Sequence, residues 1–127
     1  MGPSMDKTMD KTAVLDLPEA LSRADGDQDL LLTLAGLFLQ ESPKEAAAAR
    51  AALGRQDRAG LAAAAHKLKG SVMTICAPRL FESAKRLEEL GRRGEFAEAS
   101  PVYADVETHL AEVHAALREL IARGFPV

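Results

Sequence analysis

The chain has 127 residues, enough for one domain with a real core, and its 47% hydrophobic and 28% charged content reads as globular rather than disordered. A net charge of -3 gives no general attraction to nucleic acid or anionic membrane, and no apolar run approaches the ~20 residues that span a bilayer. Aromatics make up only 4%, Trp is absent and alanine is abundant, which favours closely spaced helices over a sheet.

The N-terminus has no apolar signal region, and the single Cys76 has no second cysteine for an internal disulfide. Both features predict a cytoplasmic protein. Residues 1–12, with Met-Asp-Lys-Thr written twice, read as an added leader or disordered tail. Asp16 is placed to cap a short turn holding Pro18, Glu19, Ala20 and Leu21, and Asp25-Gly26-Asp27 breaks it. A helix is predicted from Gln28 to Glu41, with Leu30, Leu31, Leu34, Leu37 and Phe38 at helical spacing. Ser42-Pro43 predicts a new start, serine as cap and proline at the first helical position, for a helix to Arg55 with an alanine inner face. Asp57 is the expected cap of the next helix, which runs to about Cys76. Pro78 opens another to about Arg92, with Leu80, Ala84, Leu87 and Leu90 on one side, and Gly91 and Gly94 are expected to end it. Ser100-Pro101 repeats the start signature, and a helix beginning before it is left open. The last helix reaches Arg123, with Val102, Val106, Leu110, Val113, Leu117 and Leu120 as its stripe. These segments predict an all-α fold over residues 13–127: an antiparallel up-down four-helix bundle with an additional short N-terminal helical segment.

The helix after Asp57 carries the chemistry. At about 100° per residue, Leu61, Ala65, Leu68, Val72 and Ile75 fall within about 40° of one direction and form its core stripe. His66 lies about 140° from that direction and faces out. Its wheel neighbours Ala59, Ala62, Ala63, Gly70 and Met73 are mostly small, and Lys67 and Lys69 flank it. A neutral imidazole, with an ordinary pKa of roughly 6.5, is a nitrogen nucleophile near neutral pH. An ammonium beside it offsets the charge of an incoming phosphoryl group. Gly70, one turn on, is read as the residue that keeps a side chain from crowding the ring.

His66-Lys67-Leu68-Lys69-Gly70-Ser71 followed by Cys76-Ala77-Pro78-Arg79-Leu80 resembles the histidine-containing phosphotransfer (HPt) domain. The resemblance extends to Leu37-Phe38-Leu39-Gln40-Glu41-Ser42-Pro43 upstream and Leu87-Glu88-x-x-Gly91 downstream, covering about Leu15 to Leu120. Cys76 stands where the family usually has glycine, and Val72 where it usually has a small residue. The resemblance implies that His66 is a phosphoacceptor in a two-component phosphorelay, taking its phosphoryl group from the phospho-aspartate of a response-regulator receiver domain and passing it to another. It implies that Lys69, and on the other flank Lys67, assist the phosphoryl group. Ser71 is implied to hydrogen-bond near the site, with a bond to its own helix backbone as the alternative. Glu88 is implied to hold the imidazole, fixing the tautomer by accepting one ring N–H. Ala62, Ala63, Gly70, Ser71 and Met73 are the expected partner-binding surface. Mg²⁺ belongs to the receiver, so no cofactor and no metal are expected here. A hybrid sensor histidine kinase, in the same parent chain or another, is an implied partner.

No Gly-rich phosphate loop or kinase nucleotide motif is present, so ATP-dependent autophosphorylation is not expected. His109 and His114 are five apart and share no helix face; they read as structural or solvent-facing. At net charge -3, electrostatic steering of the partner is not expected to dominate. Two readings compete with the carrier. A haem-type bundle needs inward axial ligands, which an outward His66 does not supply. A non-catalytic helical adaptor, binding receiver or kinase domains without phosphotransfer, would use the same surface without the chemistry.

Overall fold

The computed structural model describes residues 12–125. They form five helices: α1 (Leu17–Arg23), α2 (Gln28–Gly54), α3 (Arg58–Ile75), α4 (Pro78–Arg93) and α5 (Phe96–Arg123), with no strand among the described residues. The tail at residues 1–11 lies outside the described residues. Links of two or three residues turn each long helix back on the one before, and α5 closes the ring against α2, so the four pack as an up-down bundle. Helices α3 and α4, of 18 and 16 residues, are much shorter than α2 and α5, of 27 and 28. At about 1.5 Å per residue the long pair overhangs the short pair by more than 10 Å. The overhang is filled by α1, which buries Ala20 and Ala24 with Leu31 and Cys76. Backbone bonds from Asp16 N to Cys76 O (2.8 Å) and from Arg79 N to Ala13 O (3.2 Å) fasten the N-terminal segment across the α3–α4 turn.

Local signals explain most boundaries. The carboxylates of Asp16, Asp27 and Asp57 accept from Glu19 N, Leu30 N and Gly60 N and cap α1, α2 and α3. Gly94, at φ +70°, terminates α4. Cys76 turns the chain after α3 at φ +53°, the left-handed conformation that glycine adopts more easily. The core stripe of α3 is as predicted, Leu61, Ala65, Leu68, Val72 and Ile75 all being buried, and so are Leu80, Ala84, Leu87 and Leu90 of α4.

Four expectations are corrected or narrowed. The break at Ser42-Pro43 does not occur: α2 runs straight through. Its buried positions 31, 35, 38, 42, 45, 46, 49 and 52 keep unbroken three–four spacing across the proline, so stopping there would forfeit a continuous core stripe. Ser42 is no N-cap. Its hydroxyl donates to Phe38 O (2.6 Å), and since that uses its only proton, His114 Nε2–H donates to Ser42 Oγ (2.8 Å). Second, of the two starts left open for α5 the earlier holds: it begins at Phe96 and runs through Ser100-Pro101, and Ala99 and Tyr103 join its buried stripe while Val102 is half-buried. Third, Gly91 lies inside α4 and is buried rather than ending it. Fourth, of the leucines and Phe38 expected at helical spacing, Leu31 and Phe38 are buried but Leu30 and Leu37 are exposed.

Candidate functional site

His66 projects from the middle of α3 with its side chain 65% exposed, as the wheel predicts. Beneath it, α4 presents Glu88, whose side chain is 3% exposed. His66 Nδ1 and Glu88 Oε2 are 3.0 Å apart. Lys69 Nζ lies 2.8 Å from Glu88 Oε1, and Arg92, one turn further along α4, pairs with Oε2. Burial pushes the Glu88 carboxyl up, but the bonds from Lys69 and His66 and the charges of Lys69 and Arg92 outweigh it and hold the group below its usual range. An ionised carboxylate has no proton to give, so His66 Nδ1–H donates to it. In the neutral ring this places the proton on Nδ1 and leaves Nε2 free on the far side of the imidazole.

The structure thus brings His66, Lys69 and Glu88 together. It sends Ser71 elsewhere. Ser71 Oγ donates to Glu45 Oε2 (2.9 Å) on α2, and Lys67, one turn earlier, contributes its charge to the same carboxylate. Both predicted partners of Ser71, the site and its own backbone, are therefore replaced by Glu45. Ala63, Gly70 and Met73 are exposed and Ala62 is half-buried, so open ground surrounds the imidazole. A Cβ on Gly70 would meet nothing within 4 Å, so this glycine does not relieve crowding of the resting ring; the room it leaves faces solvent. His109 Nδ1 and Ser83 Oγ share a hydrogen bond (3.0 Å), and His114 is tied to Ser42, so both histidines are structural.

Sequence reasoning missed three residues here. Arg92 was legible as the i,i+4 partner of Glu88. Gly91 carried a signal, a glycine inside a predicted helix, that was read as a stop. Glu45 gave none, because nothing in the local pattern distinguishes a buried glutamate from a solvated one.

A histidine held by a buried anion between two cations on a helical bundle decides the family question together with the family model, whose Hpt domain matches residues 33–122. The chain belongs to the Hpt domain family. Among solved structures this Hpt domain is similar to histidine-containing phosphotransfer protein B (HptB) from Pseudomonas aeruginosa PAO1, at 28% identity and a TM-score of 0.81, over 88% of this chain and 97% of that one. The HPT domain of an Hpt sensor hybrid histidine kinase from Shewanella shares the fold, at 20% identity and a TM-score of 0.75, over 87% and 95%. No curated protein matches the chain. Among the described residues, no helix is long and apolar enough to cross a membrane.

Proposed function

We propose that His66 Nε2 is the phosphoryl acceptor and donor of a phosphorelay, shuttling between the aspartates of two receiver domains. The observation that carries this reading is the Nδ1–Glu88 contact, which leaves Nε2 as the free, exposed nucleophile. In the forward step the Nε2 lone pair attacks phosphorus, the bond from phosphorus to the aspartyl oxygen breaks, and its electron pair leaves with the carboxylate. From the neutral ring no proton needs to move, because its proton is on Nδ1 and Nε2 has none. The ring becomes cationic and keeps Nδ1–H, and the Glu88 carboxylate offsets that charge. Return of the phosphoryl group to a second aspartate reverses each step. Lys69, already within reach of the same site, offsets the phosphoryl charge. Lys67 contributes its charge to Glu45 and is given no part in the transfer. The exposed ground of Ala63, Gly70 and Met73 is where the receiver seats, bringing Mg²⁺ and its acidic pocket with it. Such a partner, like a hybrid sensor kinase in the same or another chain, works in the cytoplasm.

Receiver domains charged with acetyl phosphate and Mg²⁺ are to be mixed with the wild type and with His66→Gln. Acid-labile, base-stable label is expected on the wild type alone. Label on both proteins would identify another nucleophile. No label from a broad receiver panel would favour the adaptor.

A further inference from the structure

The contact between His66 and Glu88 joins side chains 22 residues apart on different helices. Its length is therefore set by how closely α3 and α4 approach. Beside it, the two helices come into close contact at Gly91. A Cβ built there would lie 3.1 Å from the backbone nitrogen of Ala62 and 3.0 Å from Leu61 Cγ. No rotamer change relieves a contact with helix backbone, so α4 would have to move away from α3. Gly91 follows Glu88 by three residues and Ala62 precedes His66 by four, so this seam is about one turn from the contact on both helices. A second tie lies beyond it. Arg58 Nε and Nη2 donate to Arg92 O at 3.2 and 2.6 Å, across the C-terminal end of α4, where a cation suits the helix dipole. Gly94 leaves room for that arginine: a Cβ there would lie 2.9 Å from Arg58 Cδ.

We propose that Gly91 is a positioning residue for phosphotransfer. By letting α4 rest on the α3 backbone at Ala62, it sets the Glu88–His66 distance and hence which ring nitrogen is left to react. Glycine is unfavourable inside a helix, and its close approach to Ala62 is what this position gains in return. The proposal rests on the reading of His66 as the phosphoryl acceptor, but its first readout does not need a receiver.

The test is ¹⁵N NMR of the His66 ring in the wild type, Gly91→Ala, Gly91→Val, Glu88→Ala and Val113→Ala, with transfer rates alongside. In the neutral wild-type ring Nδ1 carries the proton and Nε2 does not. Gly91→Ala is expected to shift the tautomer part of the way towards the Glu88→Ala spectrum, and Gly91→Val further. The transfer rate at saturating receiver falls about tenfold in Gly91→Ala, in line with the cost of small displacements at a reacting centre. The receiver concentration giving half-maximal rate is unchanged, because Gly91 is buried and touches no partner. Val113→Ala, in the core of α5, lowers stability but leaves tautomer and rate as they are. A folded Gly91→Val with the wild-type tautomer overturns the proposal; if Val does not fold, the wild-type tautomer in Gly91→Ala does so. An equal rate loss in Val113→Ala at the same drop in melting temperature overturns it as well. A wild type that accepts no phosphoryl group, with the tautomer response intact, would instead sink the carrier reading.

Discussion

Two glutamates flank α3, one from each neighbouring helix, and their surroundings give them opposite signs. Glu88 has cations and a ring N–H around both oxygens, and its carboxyl is held low. Its stabilising contribution is present above the ordinary carboxylate value of about 4.3 and is lost as pH falls through the lower folded-state value. Glu45 is buried too, with Ser71 on Oε2 and no hydrogen-bond partner for Oε1 among the described residues. Burial pushes its carboxyl up, against the opposing bond from Ser71 and the charge of Lys67. A raised carboxyl means that the folded state binds the proton more readily than the unfolded one, so ionised Glu45 costs stability at neutral pH. That cost disappears as pH falls through the raised value towards the ordinary one. Glu45→Gln keeps an acceptor for Ser71 and removes the charge. Its expected effect is a rise in Tm of roughly 4 °C at pH 7, the shift given by about 1 kcal/mol in a chain near this size. The gain should vanish below about pH 4.3, where both states of the wild type are protonated. Calorimetry across that range checks it, and a variant no more stable than wild type at pH 7 would show that Glu45 is adequately paired.

At the scale of the element, α2 shows a continuous stripe overriding a local stop signal. Pro43 has no N–H, so the helix loses the bond to Leu39 O, and proline in a helix interior costs about 3 kcal/mol. The core contacts of Phe38 before it and Ala46, Ala49 and Ala52 after it keep the helix in phase despite that loss. Pro43 itself is exposed. Pro43→Ala should therefore restore the bond without disturbing packing. Part of the gain is offset by the greater freedom of the unfolded chain, leaving about 1–2 kcal/mol, read as a higher denaturant midpoint at unchanged slope. A lower midpoint would mean that the proline is itself needed to seat Ser42 against His114. The start signature Ser42-Pro43 was legible and the stripe through it was legible as well. Which of the two wins depends on α5, whose His114 and Tyr103 close over α2, Tyr103 through its hydroxyl on Ala46 O (3.2 Å).

For the molecule as a whole, net charge conceals a polarity. Helices α3 and α4 together carry eight Lys and Arg against three Glu, whereas α5, diagonally opposite α3, carries five acids against two Arg. The chain's charge of -3 is thus a basic half joined to an acidic one, and the exposed imidazole sits in the basic half. A docking partner that carries an acidic pocket meets the favourable end, which revises the expectation that steering is weak. The second-order rate of transfer should fall several-fold between low and high salt, because exposed charges are screened within about 10 Å at 0.1 M. Lys85→Glu with Arg86→Glu, both exposed positions on α4, should reduce that rate and its salt dependence together while leaving helicity unchanged. A salt-independent rate in the wild type would mean that apolar contact alone guides the encounter.

Periodicity, caps and composition by themselves determined the helical class, the core faces of α3 and α4, and the outward placement of His66, because each depends on the spacing of residues along one helix. They also determined which flank carries Lys69. The family likeness supplied the expectation that Glu88 meets the imidazole. Only the tertiary structure decided that Glu88 is buried and ionised beneath the ring, that Ser71 bonds Glu45 instead, and that Gly91 is a seam rather than a stop. Those outcomes rest on distances between helices that are remote in sequence, and no pattern along a single helix encodes how closely its neighbour will lie.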